Sequence, residues 1–142
     1  MGKTPKHYDK NLQPFDFIDE YQLDFYLGNV VKYIVRYRDK GTPEQDLKKA
    51  IHYLEVYKDR VIKDQRGLYN ISSKKYNVKE DSLSKLDNFL DAWHLEEPLN
   101  DILKMISTIN LNEIEVTDRL NIINNSLNVL NNFISKYLTG KK

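Results

Sequence analysis

Leu27-Gly28-Asn29-Val30-Val31-Lys32-Tyr33-Ile34-Val35-Arg36-Tyr37-Arg38 carries two stripes at helical spacing. Leu27, Val30, Val31 and Ile34 fall at i, i+3, i+4 and i+7 and make one apolar face. Asn29, Lys32 and Arg36 fall at i, i+3 and i+7 on a second face, flanked by Tyr33, with Lys40 a further turn along if the helix persists that far. A row of fixed cations on a packed helix suits an anion, phosphate foremost. The same row also describes the solvated side of an amphipathic helix.

Working outward, the helix is expected from about Asp24 to Asp39, with Gly41 beyond it where a left-handed residue costs least. Thr42 as N-cap, Pro43 at the first helical position and Gln45 three residues after the cap open the next helix. Its apolar side is Leu47, Ala50, Ile51, Leu54, Tyr57 and Val61; its other side shows Asp46, Lys49 and Tyr53, again at i, i+3 and i+7. So short a connection predicts an antiparallel helical hairpin. Upstream, residues 1–14 read as extended, and a short helix is expected over Phe15 to Tyr21 with Phe17, Ile18 and Tyr21 on one side. Downstream, Gly67 is the expected stop, and residues 67–80 break the helical period as a linker.

Beyond the linker the apolar spacing is helical again. One helix, capped at Asp81 or Ser82, carries Leu83, Leu86, Leu90 and Trp93; a second begins at Pro98; a third is expected to be capped near Thr117. In the third, Leu120, Ile123, Leu127, Leu130, Ile134 and Tyr137 alternate steps of three and four, the spacing of a coiled-coil seam. The opposite face is rich in Asn, a mediocre helix former, so packing must hold that helix. The seam either closes a bundle within the chain or pairs with a second copy. The expectation is an all-α protein: a motif domain at 1–66 with a helical hairpin, a linker at 67–80, and a C-terminal helical bundle or coiled-coil-like extension at 81–142.

Composition narrows the function classes. The chain has 142 residues, a formal net charge of +1 and no cysteine. Near-neutral charge disfavours a nucleic-acid partner. Absence of Cys removes disulfides, thiolate nucleophiles and Cys-ligated zinc, and fits a reducing compartment. No run approaches the roughly 20 apolar residues of a membrane span, and the polar Met1-Gly2-Lys3-Thr4-Pro5-Lys6 shows no signal peptide. A cytoplasmic location is the expectation.

Common catalytic devices are missing. Glycines at 2, 28, 41, 67 and 140 form neither a phosphate loop nor a dinucleotide fingerprint. Ser72 and Ser73 fall in the expected linker, with no sequence signature linking them to a base. His7, His52 and His94 make no metal-ligand pair, and His52 and His94 are expected half-buried on helices. The acidic clusters Glu96/Glu97/Asp101 and Glu113/Glu115/Asp118 lack the repeated Glu-x-x-Glu of helical pyrophosphohydrolases and read as charges favoured at helix N-termini.

The residues His7-Tyr8, Pro14-Phe15-Asp16-Phe17-Ile18, Leu23 through Ile34, Arg36, Lys40, Asp46-Leu47-Lys48-Lys49-Ala50 and Tyr53-Leu54 resemble the SaV-like family of small bacteriophage proteins. The resemblance spans about residues 6–58. It implies a phage protein acting in the cytoplasm of an infected host, since that family includes a nucleotide kinase without a phosphate loop that acts on deoxynucleoside monophosphates. It also implies polar motif positions at His7, Tyr8, Asp16, Asn29, Lys32, Arg36, Lys40, Asp46 and Lys49. If the hairpin brings Asp46, Lys49 and Tyr53 beside Asn29, Lys32 and Arg36, the shared surface suits a nucleotide. Lys32, Arg36 and Lys49 would neutralise phosphates; Asn29 would bond a base or ribose; Tyr33 or Tyr53 would stack; Asp16 or Asp46 would hold Mg²⁺ through water or take a proton. A kinase would need Mg²⁺ and ATP, its work being mostly positioning and charge neutralisation. The competing reading spends Asp46 and Lys49 on ion pairs that brace the hairpin. From a different class, the C-terminal helices would bind a host or anti-phage defence protein, and Leu120, Ile123, Leu127, Leu130 and Ile134 would pair copies into a homo-oligomer.

Overall fold

Pro14 starts the first described helix, because its missing N–H is no loss at that position. This computed structural model describes residues 11–65, 84–111 and 114–139, and every regular element among them is helical. The elements are α1 (Pro14–Glu20), α2 (Phe25–Val35), α3 (Pro43–Gln65), α4 (Leu86–Trp93), α5 (Glu97–Ser107) and α6 (Val116–Phe133), which runs on into a π-helical turn, Ile134–Thr139. His7, Tyr8, Gly67, the 67–80 linker and the caps expected at Asp81 or Ser82 lie outside the described residues.

Gln22 adopts a left-handed φ of 56° and turns the chain from α1 toward α2. Asp24 then caps α2, its carboxylate accepting from the Leu27 N–H at 2.9 Å. Leu27, Val30, Val31 and Ile34 are fully buried, as the apolar stripe requires. The helix ends at Val35 rather than near Asp39. The Arg36 N–H reaches Lys32 O at 3.1 Å, but the Tyr37 N–H turns to Ile34 O, tightening the last turn. That swing buries Tyr37, whose hydroxyl donates to the Glu96 carboxylate at 2.6 Å. A tertiary bond of this kind cannot be read from local spacing. Gly41, at φ +80°, completes the reversal before Pro43 opens α3.

α3 buries Leu47, Ala50, Leu54, Tyr57 and Val61, and its pairing with α2 is the most extensive among the described helices. α3 also meets α6, and α6 meets α5. One continuous core results, joining Phe17 through Val61 to Phe89 through Ile134. In α6, Ile123 and Leu130 are buried within the chain, as is Ile134 just beyond it, while Leu120 and Leu127 are partly buried against the same core. The Asn-rich face looks outward at Asn121, Asn124, Asn125, Asn128, Asn131 and Asn132.

Two ties orient the C-terminal helices. Phe17, Tyr21, Phe89 and Trp93 form an aromatic cluster between α1 and α4, and the Trp93 Nε1–H donates to Leu12 O at 2.9 Å. Arg119 is buried in α6 and donates from Nη1 to the Tyr57 hydroxyl at 2.7 Å and to Asn110 Oδ1 at 3.2 Å. Asn110 in turn donates to Gln22 O at 2.7 Å, so one polar chain links α6, α3 and the α1–α2 turn. Arg119 Nε has no hydrogen-bond partner among the described residues.

Three local expectations are corrected. α6 is capped by Glu115 rather than Thr117, with the Asp118 carboxylate accepting the Glu115 N–H at 3.1 Å. The acidic residues there serve the helix start, as the macrodipole argument requires. His52 and His94 are exposed rather than half-buried: His52 lies on the outer side of α3, and His94 ends α4 in a left-handed conformation, φ 50°.

Candidate functional site

α2 presents its polar stripe to two hollows. The larger is a cleft of about 440 Å³ between α1 and α2. Ile18, Leu23 and Gly28 supply an apolar floor, and Asn29, Lys32 and Arg36 supply a polar wall. Phe15 and Phe25 flank it, 60% and 67% exposed. Such exposure of two phenyl rings costs solvation unless something covers them. Gly28 sets the depth: a Cβ there would stand 3.1 Å from Ile18 Cδ1, so α1 and α2 approach through a missing side chain.

The smaller hollow, about 90 Å³, is lined by Lys32, Tyr33, Arg36, Lys40 and Asp46. Lys32 and Arg36 therefore face both hollows. Lys40 reaches this site although α2 has already ended, because the turn at 36–39 brings it back. Asp46 is only 5% exposed, yet its carboxylate makes no ion pair or hydrogen bond among the described residues. It is the sole carboxylate lining that hollow, beside three cationic side chains.

The hairpin does juxtapose the two polar stripes. Tyr33 and Tyr53 lie nearly parallel, 13° apart with ring centres 6.1 Å apart. The Lys32 and Lys49 ammonium groups sit over the Tyr33 ring at 4.9 and 5.4 Å. Tyr33 and Tyr53 thus face each other and two cations, beside the cleft rather than in it. Asn29 spends one amide hydrogen on Phe25 O at 2.9 Å and keeps the rest of its amide for the cleft. Arg36 donates to Gln13 Oε1 at 3.3 Å, a neutral partner, and makes no ion pair among the described residues.

Asp16 sits elsewhere. Its carboxylate accepts the Gln13 N–H at 2.8 Å, closing the start of α1, and it lines a hollow on the α4 side with Asp19, Glu20 and Lys85. Asp16 and Asp46 share no hollow. His7 and Tyr8 lie outside the described residues.

Three contributors escaped sequence reasoning. Phe25 lies four residues before Asn29 on the polar stripe itself, and an aromatic ring on a polar stripe was the available signal. Phe15 gave none, being one apolar residue among several. Asp24 caps α2 and lines the cleft; burial pushes its pKa up, partly offset by the Leu27 and Tyr26 N–H groups and by the charges of Arg60 and Arg119.

A family model described as a protein of unknown function (DUF3310) matches residues 3–55. The matched stretch contains α1, α2 and the first half of α3, and with them the lining residues of both hollows on α2. No curated protein and no solved structure matches the chain. The similarity to that family is thus confined to the segment that builds the cleft.

Proposed function

We propose that this protein binds a nucleotide in the α1–α2 cleft. The observation that carries the reading is one wall combining Asn29, Lys32 and Arg36 with an apolar floor and two exposed phenyl rings. A ligand with a flat apolar part and an attached anion matches that inventory; a purely apolar ligand would leave two cations idle, and a bare anion would leave the rings uncovered. The base would lie between Phe15 and Phe25, and the phosphate against Lys32 and Arg36.

The SaV-like resemblance extends the proposal to a nucleoside monophosphate kinase of phage origin. In that reaction a phosphate oxygen of the bound monophosphate attacks the γ-phosphorus of ATP, the bond to the β-phosphate oxygen breaks, and ADP leaves. The small hollow beside Lys32, Arg36 and Lys40 has room for one phosphate-sized group, where the three cations would neutralise the charge of transfer. Asp46 fits a magnesium ion carried on nucleotide phosphates, which needs about one or two protein carboxylates and keeps several waters. When bound, that ion would add charge neutralisation; Asp46 would hold it through water, and Lys32 would bridge the two hollows.

Partner binding through the C-terminal helices is not the reading favoured, because Ile123, Leu130 and Ile134 of their seam are buried inside the chain. The test is thermal melting with deoxynucleoside monophosphates and with ATP plus Mg²⁺. A rise in Tm that disappears on replacing Lys32 and Arg36 together with Ala is expected. No shift with either nucleotide class would end the proposal. The kinase extension is read separately, as ADP formation dependent on the monophosphate and lost in Asp46→Asn while the melting shift remains.

A further inference from the structure

The parallel rings of Tyr33 and Tyr53 do not end at the small hollow. Phe25 stands edge-on to Tyr53 at 6.0 Å, and Phe25 is also a lip of the cleft. The α2–α3 pair therefore carries an aromatic row, the exposed Phe25 and the half-buried Tyr53 and Tyr33, bordered by Lys32, Lys49 and Lys40. Lys32, Lys40 and Lys49 make no ion pair among the described residues, whereas Lys48, Lys63 and Lys85 each face a carboxylate. Net charge conceals this. The acidic side chains Asp16, Asp19 and Glu20 line the other side of α1, and Asp46 stands against three cationic side chains in the small hollow, so a chain of net +1 carries excess positive charge along the aromatic row.

We infer that this row is a docking strip for single-stranded nucleic acid, continuous with the cleft. Aromatic rings bordered by lysines match a strand whose phosphates need neutralising and whose unstacked bases need a surface to lie on. An acidic peptide would satisfy the lysines but not the rings. A duplex would bury its bases away from them. Because Phe25 and Lys32 belong to both surfaces, the inference rests in part on the nucleotide reading, and the test separates the two.

The experiment is fluorescence anisotropy of the full chain with a labelled oligothymidylate of about ten nucleotides at about 50 mM salt. In parallel, the unlabelled monophosphate is tested by melting. Binding is expected, weakened about tenfold by Tyr53→Ala and by Lys49→Glu, with an affinity falling as salt rises. Lys49 is exposed, so Lys49→Glu is expected to keep the fold, checked by an unchanged Tm. Absence of oligonucleotide binding alongside a monophosphate shift would overturn the strip and leave the cleft proposal standing. Oligonucleotide binding indifferent to both variants would overturn it as well. So would equal competition by a duplex or by polyglutamate, since either would show that the rings play no part.

Discussion

Two hollows of nearly equal size flank α1, about 440 Å³ on the α2 side and about 430 Å³ on the α4 side. Their chemistry is opposite. The first offers Lys32 and Arg36 over an apolar floor; the second offers Asp16, Asp19 and Glu20, with Lys85 already 3.6 Å from Glu20. Volume alone would rank them alike. What distinguishes them is how each charge is spent. On the α4 side the carboxylate of Asp16 closes a helix start and Glu20 has a lysine. On the α2 side Lys32 and Arg36 make no ion pair among the described residues, and the rings of Phe15 and Phe25 beside them are largely exposed. A site is recognised by unspent interaction capacity rather than by space.

The sharpest way to break this comparison is to remove the cations. Lys32→Ala with Arg36→Ala should cost about 3 kcal/mol of nucleotide binding, roughly a hundredfold, as two charge-assisted contacts are lost. Calorimetric titration reads it directly. Should Asp16→Ala abolish binding while the double variant retains it, the assignment of the two hollows is reversed.

Next in size is the spacing of α1 and α2. Gly28→Val places a branched side chain where a Cβ alone would be 3.1 Å from Ile18 Cδ1. Overpacking of this kind should destabilise by about 2 kcal/mol in urea unfolding. It should also weaken ligand binding, while the α4-side hollow keeps its geometry. An unchanged urea midpoint would mean that the two helices are free to separate. Asp16→Ala is expected to cost less, about 1 kcal/mol, through the lost bond to the Gln13 N–H and the favourable charge at the start of α1. Ligand affinity should not move with it.

Much of this scaffold was legible in the chain, and the residues say why. The burial of Leu27, Val30, Val31 and Ile34 follows from a period of 3.6, and the start of α3 from Thr42 and Pro43, both local facts. Placement of Lys32 and Arg36 on one open wall follows from the same period. The misses are non-local. α2 stops early because Tyr37 turns inward to Glu96, 59 positions away. Arg119 carries no signal in the sequence, because Tyr57 and Asn110 are brought to it only by the fold. Asp16 could not be separated from Asp46 by spacing, because the hollow it faces exists only once α4 has packed on α1. Apolar floors are the hardest feature to foresee, since Ile18 and Gly28 line the cleft through a contact between two helices rather than through any pattern within one.

The smallest expected effect concerns a carboxylate on the cationic side of α1 that already serves the helix. Asp24 lines the cleft and caps α2, and burial raises its pKa above the ordinary aspartate value of about 3.9. A folded-state pKa that is raised means the native protein holds this proton more tightly than the unfolded chain. The associated stability is present below the ordinary carboxylate range and is lost as pH climbs through the raised native value. Asn at this position keeps an oxygen for the Leu27 N–H and cannot ionise. Asp24→Asn should therefore gain stability relative to the parent as pH rises from acid to neutral, measured as the difference in urea midpoints. Both arginines near Asp24 oppose that trend, because Arg60 and Arg119 favour its charged form. If the parent instead pulls ahead of the variant with rising pH, those charges outweigh burial. The cationic character of the cleft would then extend through its wall into the core.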